Sequence, residues 1–141
     1  MTKKIVKQLA HVCIFTDDLD ATEAFYRDVL GIGVKFRFIR DGKPHGYYLD
    51  LGGSTNIEVF ERSGAAFSDA NVINHICLEV DDIDEAIAHV RAQGVSITDK
   101  SFGVDETYQS WLADPNGVKI ELFQYTPKSA QFLGGDRIVN W

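Results

Sequence analysis

Four side chains of metal-binding type stand at matched places in this sequence: His11 and His75, each at the start of an apolar run, and Glu58 and Glu121, each inside one. Glu58 lies between Ile57 and Val59, and Glu121 between Ile120 and Leu122. An ionised carboxylate in such a run is costly to bury alone, and pairing it with a divalent cation removes that cost. Two imidazoles with two carboxylates suit zinc, nickel, cobalt, iron or manganese, whereas a calcium site is normally all oxygen. A structural zinc site is usually a closed tetrahedron, often rich in cysteine, while this set leaves room for solvent in an octahedral arrangement. The donor set therefore points to catalysis. A lone His or a lone mid-strand Glu is ordinary, so the weight rests on four residues at matched positions.

The matching comes from an internal repeat, which decides the architecture that must position these residues. An offset of 64 superimposes "HVCIFTDDLDATEAFYR" from His11 on "HICLEVDDIDEAIAHVR" from His75, including Cys13 on Cys77 and Asp18 on Asp82. One residue is then lost, and an offset of 63 superimposes Gly31 on Gly94, Leu49 on Leu112, Ile57 on Ile120, Glu58 on Glu121 and Phe60 on Phe123. "LAHVCIF" alternates His11, Cys13 and Phe15 with Val12 and Ile14, which predicts a strand covered on both sides. Asp17 to Asp20 open a helix over 20–30 with an apolar stripe of Ala21, Ala24, Phe25 and Val29, and "LGIG" closes it. Strands follow near 33–40, 45–51 and 55–61, separated by "DGKP" and "GGST" turns. The second copy reads as a strand at 73–80, a helix at 82–93 and strands near 95–99, 107–113 and 118–124, with a "DPNG" turn at 114–117. The fold class is α+β: two tandem βαβββ modules, about 8–61 and 73–125, joined by a linker at 62–72 within one domain over 1–126. If the two sheets face one another, the four side chains converge on one point. The tail at 127–141 lies outside the repeat, and its Phe132, Leu133, Ile138, Val139 and Trp141 suggest that it docks.

Composition excludes several classes. The 141 residues suit one compact domain, with 45% hydrophobic and 25% charged side chains. A net charge of −7 with no basic stripe makes nucleic acid a poor partner. No apolar run reaches the ~20 residues that cross a bilayer, and "MTKKIVKQLAHV" lacks the features of a secretory signal, so membrane attachment is not expected and the cytoplasm is the default location. Cys13 and Cys77 suit a reducing compartment and read as small core residues rather than nucleophiles. The acidic clusters at 17–20 and 81–84 lack the spacing and glycine of an EF-hand and read as helix N-terminal signals.

Over about residues 8–125, "HVCIFTDDLDATEAFYRDVLGI", "HICLEVDDIDEAIAHVRAQGV" and "WLADPNGVKIELFQ" together resemble the vicinal oxygen chelate superfamily of glyoxalases, bleomycin resistance proteins and dioxygenases. The resemblance implies curved sheets around a metal cleft, often completed across a homodimer. The order His, Glu, His, Glu resembles glyoxalase I, which implies zinc or nickel held by His11, Glu58, His75 and Glu121. It further implies a lyase or isomerase acting on a small substrate with vicinal oxygens through a metal-stabilised enediolate. Glu121 would move the proton, with Glu58 as ligand or second carrier. The same superfamily holds epimerases, dioxygenases and non-enzymatic drug-binding proteins, which are the alternatives.

One departure bears on the substrate. Small bacterial glutathione-using glyoxalases usually carry Arg four residues after the first His and Asn four after the first Glu; here those places hold Phe15 and Arg62. That speaks against glutathione. Phe15 is a candidate pocket wall, and Arg37 and Arg62 are candidates for an anionic substrate. Lys100, Phe102, Tyr108 and Trp111 surround "SFGVDETYQSW", a rim or lid. Unmatched His45 and His89 are expected to face solvent.

Overall fold

The computed structural model describes residues 7–68 and 71–139, so the expected contribution of Trp141 and the N-terminal stretch 1–6 lie outside the described residues. The chain divides into two compact units between Ala66 and Phe67. Unit 1 contains β1 (His11–Thr16), α1 (Leu19–Asp28), β2 (Val34–Arg40), β3 (Lys43–Asp50) and β4 (Asn56–Glu61). Unit 2 contains β5 (Ile76–Glu79), α2 (Ile83–Ala92), β6 (Ser101–Phe102), β7 (Tyr108–Ala113), β8 (Lys119–Gln124) and the single-turn α3 (Ala130–Leu133). Each unit is one four-stranded sheet, in the orders β1-β4-β3-β2 and β5-β8-β7-β6.

The two sheets share a register. In unit 1, parallel β1 and β4 pair Cys13 with Glu58, and antiparallel β3 and β4 pair Tyr48 with Glu58. In unit 2 the corresponding pairs are Cys77 with Glu121 and Trp111 with Glu121. The residue lost between the copies is absorbed just after the helices: α1 and α2 match at the offset of 64, while Gly31 and Gly94, both at positive φ, already match at 63. The acidic clusters cap those helices as expected. Asp18 Oδ1 accepts from the Ala21 amide at 2.9 Å, and Asp82 Oδ1 from the Glu85 amide at 3.0 Å.

Each helix covers one face of its own sheet, α1 over β3 and β4 and α2 over β7 and β8. Strand alternation sends Ile57, Val59, Tyr47 and Leu49 to that face in unit 1, and Ile120, Leu122 and Leu112 in unit 2; all are buried. Full burial of one such aliphatic side chain contributes about 1.5–3 kcal/mol. The buried Tyr47 hydroxyl donates to the Leu19 carbonyl at 2.9 Å, which ties β3 to the start of α1.

Four expectations need correction. The face of β1 carrying His11, Cys13 and Phe15 is open rather than covered, since Val12, Ile14 and Thr16 alone turn toward the helix side. Cys13 and Cys77 are accordingly exposed and not core residues. Residues 95–99 form no strand: the Thr98 hydroxyl accepts from the Trp111 amide at 2.9 Å, the Thr98 carbonyl accepts from the Ser110 hydroxyl at 2.6 Å, and the edge strand β6 starts only at Ser101. A side chain has taken the place of a ladder partner. Finally, the tail docks with its apolar residues largely exposed: Phe132 meets the Tyr125 ring at 4.6 Å, Leu133, Ile138 and Val139 stay in the open, and polar groups supply the grip. The Ser129 hydroxyl donates to the Glu106 carbonyl, Gln131 donates to Asp105, and Arg137 pairs with Glu106. This grip also pins the 101–111 segment, a β6–β7 hairpin with Glu106 at φ 61° and not a free lid.

The turn at Asp41 and Gly42, both at positive φ, starts β3 earlier than the "DGKP" boundary suggests. Within β3, Gly46 is required for space: a Cβ there would run into the Val59 carbonyl and the Phe60 ring. Gly46→Ala is expected to cost about 1–3 kcal/mol of stability, read from the urea midpoint. No helix among the described residues is long and apolar enough to cross a membrane.

Candidate functional site

Strand parity decides where the four residues point. Ile57 and Val59 face α1, so Glu58 faces away, joined by His11 and Cys13 from β1; Glu121 and Cys77 repeat this on the other sheet, and His75, immediately before β5, meets Glu121 there. His11 Nε2 lies 3.8 Å from Glu58 Oε1, and His75 Nε2 lies 3.2 Å from Glu121 Oε2. Both carboxylates are sheltered, with side chains 16% and 12% exposed, although they stand on the open face. The structure thus brings His11 to Glu58 and His75 to Glu121. Among the described residues, no group of three or more His, Cys, Asp and Glu side chains is gathered to hold a metal ion.

The surroundings of each pair differ. The Tyr48 hydroxyl is 3.3 Å from His11 Nδ1, with the rings 5.5 Å apart. His75 Nδ1 is 2.8 Å from Asn74 Oδ1, and the Trp111 ring meets His75 edge-on at 4.8 Å. In each pair Nδ1 has a partner and Nε2 is turned to the carboxylate, the arrangement a ligating imidazole needs. Asn56, level with His11 and on the Glu58 side of β4, has a buried Oδ1 without a hydrogen-bond partner. Two half-sites of imidazole nitrogen and carboxylate oxygen, one with a spare carbonyl oxygen, fit a divalent transition ion in their donor chemistry.

Both thiols are biased toward the protonated form, although their residues are exposed overall. Burial of the sulfur, with the Glu58 carboxylate beside it, pushes Cys13 up to about 11, and burial with Glu121 pushes Cys77 up to about 12. The Tyr48 hydroxyl is likewise raised, first by desolvation and then by its hydrogen bond to Glu58.

Tyr48 and Asn74 escape a reading based on the repeat. The position matching Tyr48 holds Trp111 and the one matching Asn74 holds Ala10, so neither partner of an imidazole is duplicated. The remaining candidates separate clearly. Arg37 is bound to Glu23 by two 2.8 Å hydrogen bonds, and Lys100 pairs with Asp84 at 3.0 Å, so neither cation is free for a substrate. Phe15 is 45% exposed with the Arg62 guanidinium 4.9 Å over its ring. His45 does not simply face solvent, because it is half-buried against Phe60 at 5.4 Å, whereas His89 is exposed.

Two βαβββ units, each with a His–Glu pair on the face away from its helix, define a glyoxalase-type fold. The chain belongs to the Glyoxalase/Bleomycin resistance protein/Dioxygenase superfamily, whose model matches residues 8–122. It is 30% identical over 129 residues to the uncharacterized protein YaeR of Escherichia coli K12, covering 84% of this chain and 97% of that one. It is also 30% identical over 128 residues to the lactoylglutathione lyase of Haemophilus influenzae, covering 83% and 92%. Among solved structures, the glyoxalase family protein from Enterococcus faecalis superposes with a TM-score of 0.72 at 27% identity, over 85% of this chain and 99% of that one.

Proposed function

We propose that this protein is a metal-dependent lyase or isomerase of the glyoxalase I type, with His11, Glu58, His75 and Glu121 as ligands to one divalent transition ion, zinc or nickel before cobalt, manganese or iron. The observation that carries this reading is the repeated pair: each unit turns an imidazole Nε2 toward a sheltered carboxylate in the same ladder register. Joining the two pairs, within one chain or across a homodimer, is part of the proposal. So is a cytoplasmic setting, which suits two unpaired cysteines.

A bound ion of this kind supplies Lewis-acid stabilisation of negative charge on two neighbouring substrate oxygens. The chain's own residues do the rest. Glu121 takes a proton from the substrate carbon beside a carbonyl and returns it to the adjacent carbon, so the reaction is redox-neutral. Glu58, paired across the ladder with Tyr48, serves as ligand or second proton carrier. Phe15 and Arg62 supply a stacked ring and guanidinium where glutathione-holding side chains are usual, so a substrate other than a glutathione conjugate is favoured.

Elemental analysis of purified wild type, His75→Ala and Glu121→Ala tests the reading. About one transition ion per site is expected in the wild type, lost or sharply weakened in both variants. An absence of metal after reconstitution with zinc, nickel, cobalt, manganese and ferrous iron would overturn it and leave a small-molecule binding protein.

A further inference from the structure

An aromatic surface that the proposed proton transfer does not use runs outward from His11 across unit 1. The Tyr48 ring lies 5.5 Å from His11, 4.5 Å from Phe36 and 5.8 Å from Phe38, and Phe38 lies 4.8 Å from Phe60. The register makes this continuous. Phe36 pairs with Tyr48 and Phe38 with Gly46 across β2 and β3, while Tyr48 pairs with Glu58 and Gly46 with Phe60 across β3 and β4. All four rings therefore stand on the Glu58 side of the sheet, opposite the face that α1 covers. Gly46 completes the surface, since any side chain there would displace the Phe60 ring.

Unit 2 keeps only part of this surface, with Trp111 and Phe123 in the places of Tyr48 and Phe60. At the offset of 63, Phe36, Phe38 and Gly46 become Asp99, Ser101 and Gln109. A packing requirement of the module would recur in both copies, as the helix-side aliphatic residues do. The His–Glu pairs are duplicated, and so are the rings nearest them, Tyr48 as Trp111 and Phe60 as Phe123, whereas Phe36 and Phe38 extend the surface in unit 1 alone, which is what a substrate with one apolar end would need. Phe36 remains 45% exposed despite the cost of leaving a large ring in water. Lys35 and Arg37 have the opposite parity and lie on the helix side of the sheet, Arg37 held by Glu23, so the ring surface itself is built from aromatic groups and suits an uncharged group and not a phosphate or nucleotide.

We propose that Phe36, Phe38, Tyr48 and Phe60 determine substrate specificity, and that the substrate carries a flat, uncharged aromatic ring beside its two vicinal oxygens. The inference rests on the metal reading above, because the contact of Tyr48 with His11 is what joins the ring surface to the oxygen-binding end. The rings act by burial and by offset or edge-on stacking.

Two hydroxamates separate the two ideas, since each presents the same pair of adjacent oxygens and they differ in a phenyl against a methyl group. Zinc-reconstituted full-length protein is titrated calorimetrically with benzohydroxamate and with acetohydroxamate. Benzohydroxamate is expected to bind about tenfold more tightly. Phe36→Ala, at an exposed position, and Phe38→Leu, which keeps bulk, are each expected to cut that preference by about threefold or more, with acetohydroxamate affinity unchanged. Equal affinities in the wild type would overturn the ring surface while leaving the metal reading standing. So would a preference that both variants retain, or a Phe36→Ala effect confined to sedimentation, which would assign the surface to a second copy of the chain. Binding of neither hydroxamate would sink the metal reading and this inference with it.

Discussion

Glu121→Gln is expected to lower turnover about 10²–10⁴-fold at saturating metal, the range typical of losing a positioned general base. The reaction is followed by NMR as formation of the thioester product from the hemithioacetal of phenylglyoxal and a small thiol. The amide keeps the shape and an oxygen ligand but cannot accept the proton, so kcat should fall far more than the metal content at saturation. The two carboxylates are not equivalent. Glu58 stands opposite Tyr48, whose hydroxyl pKa it helps to raise, whereas Glu121 stands opposite Trp111, which packs edge-on against His75. A carboxylate flanked by a phenol is less available to a substrate proton. Glu58→Gln is therefore expected to weaken metal affinity chiefly and to leave kcat within about tenfold. Should Glu58→Gln prove the slower enzyme at saturating metal, the roles of the two residues are reversed.

The two His–Glu pairs were legible in the sequence because three simple rules agree on them. The repeat matches the positions, period-two alternation turns both members of a pair to one side, and the parallel pairing of first and last strands sets each Glu level with the Cys two residues after its His, close enough for the two side chains to meet. Where one rule acted alone, the reading slipped. Cys13 and Cys77 look like core residues by type, yet they share parity with the histidines and so point away from the helix. "VSITD" alternates like a strand, but the Thr98 hydroxyl replaces a backbone partner and moves the edge strand to Ser101. The tail's apolar residues suggest docking, and Phe132 does meet Tyr125, but most of the grip comes from Ser129, Gln131 and Arg137. The aromatic surface was only partly legible. Alternation places Phe36 and Phe38 on one side, but their union with Phe60 needs the absent side chain of Gly46 and a register that a sequence does not display.

Asn74 carries the second large expectation: Asn74→Leu is expected to weaken zinc binding about 10–100-fold, and Asn74→Asp to preserve or tighten it. His75 can give its Nε2 lone pair to a cation only if its proton sits on Nδ1, and Asn74 Oδ1, 2.8 Å away, accepts that proton's hydrogen bond. Leucine has no acceptor, so the Nδ1 proton loses its partner and the competing tautomer, with Nε2–H directed at Glu121 at 3.2 Å, gains ground. Aspartate is a stronger acceptor and makes the imidazole a better donor. Because Asn74 is exposed, neither change should alter stability by more than about 0.5 kcal/mol, which separates a positioning role from a folding one. The direct readout is the nitrogen-15 shift of the His75 ring, which distinguishes the tautomers in the metal-free protein, alongside zinc affinity by competition with a chelator. The companion pair provides an internal control. His11 Nδ1 meets the Tyr48 hydroxyl at the longer distance of 3.3 Å, so Tyr48→Phe should cost less metal affinity than Asn74→Leu. If the order is inverted, the His11 half-site dominates binding, and the unit with the looser geometry is the one that captures the ion.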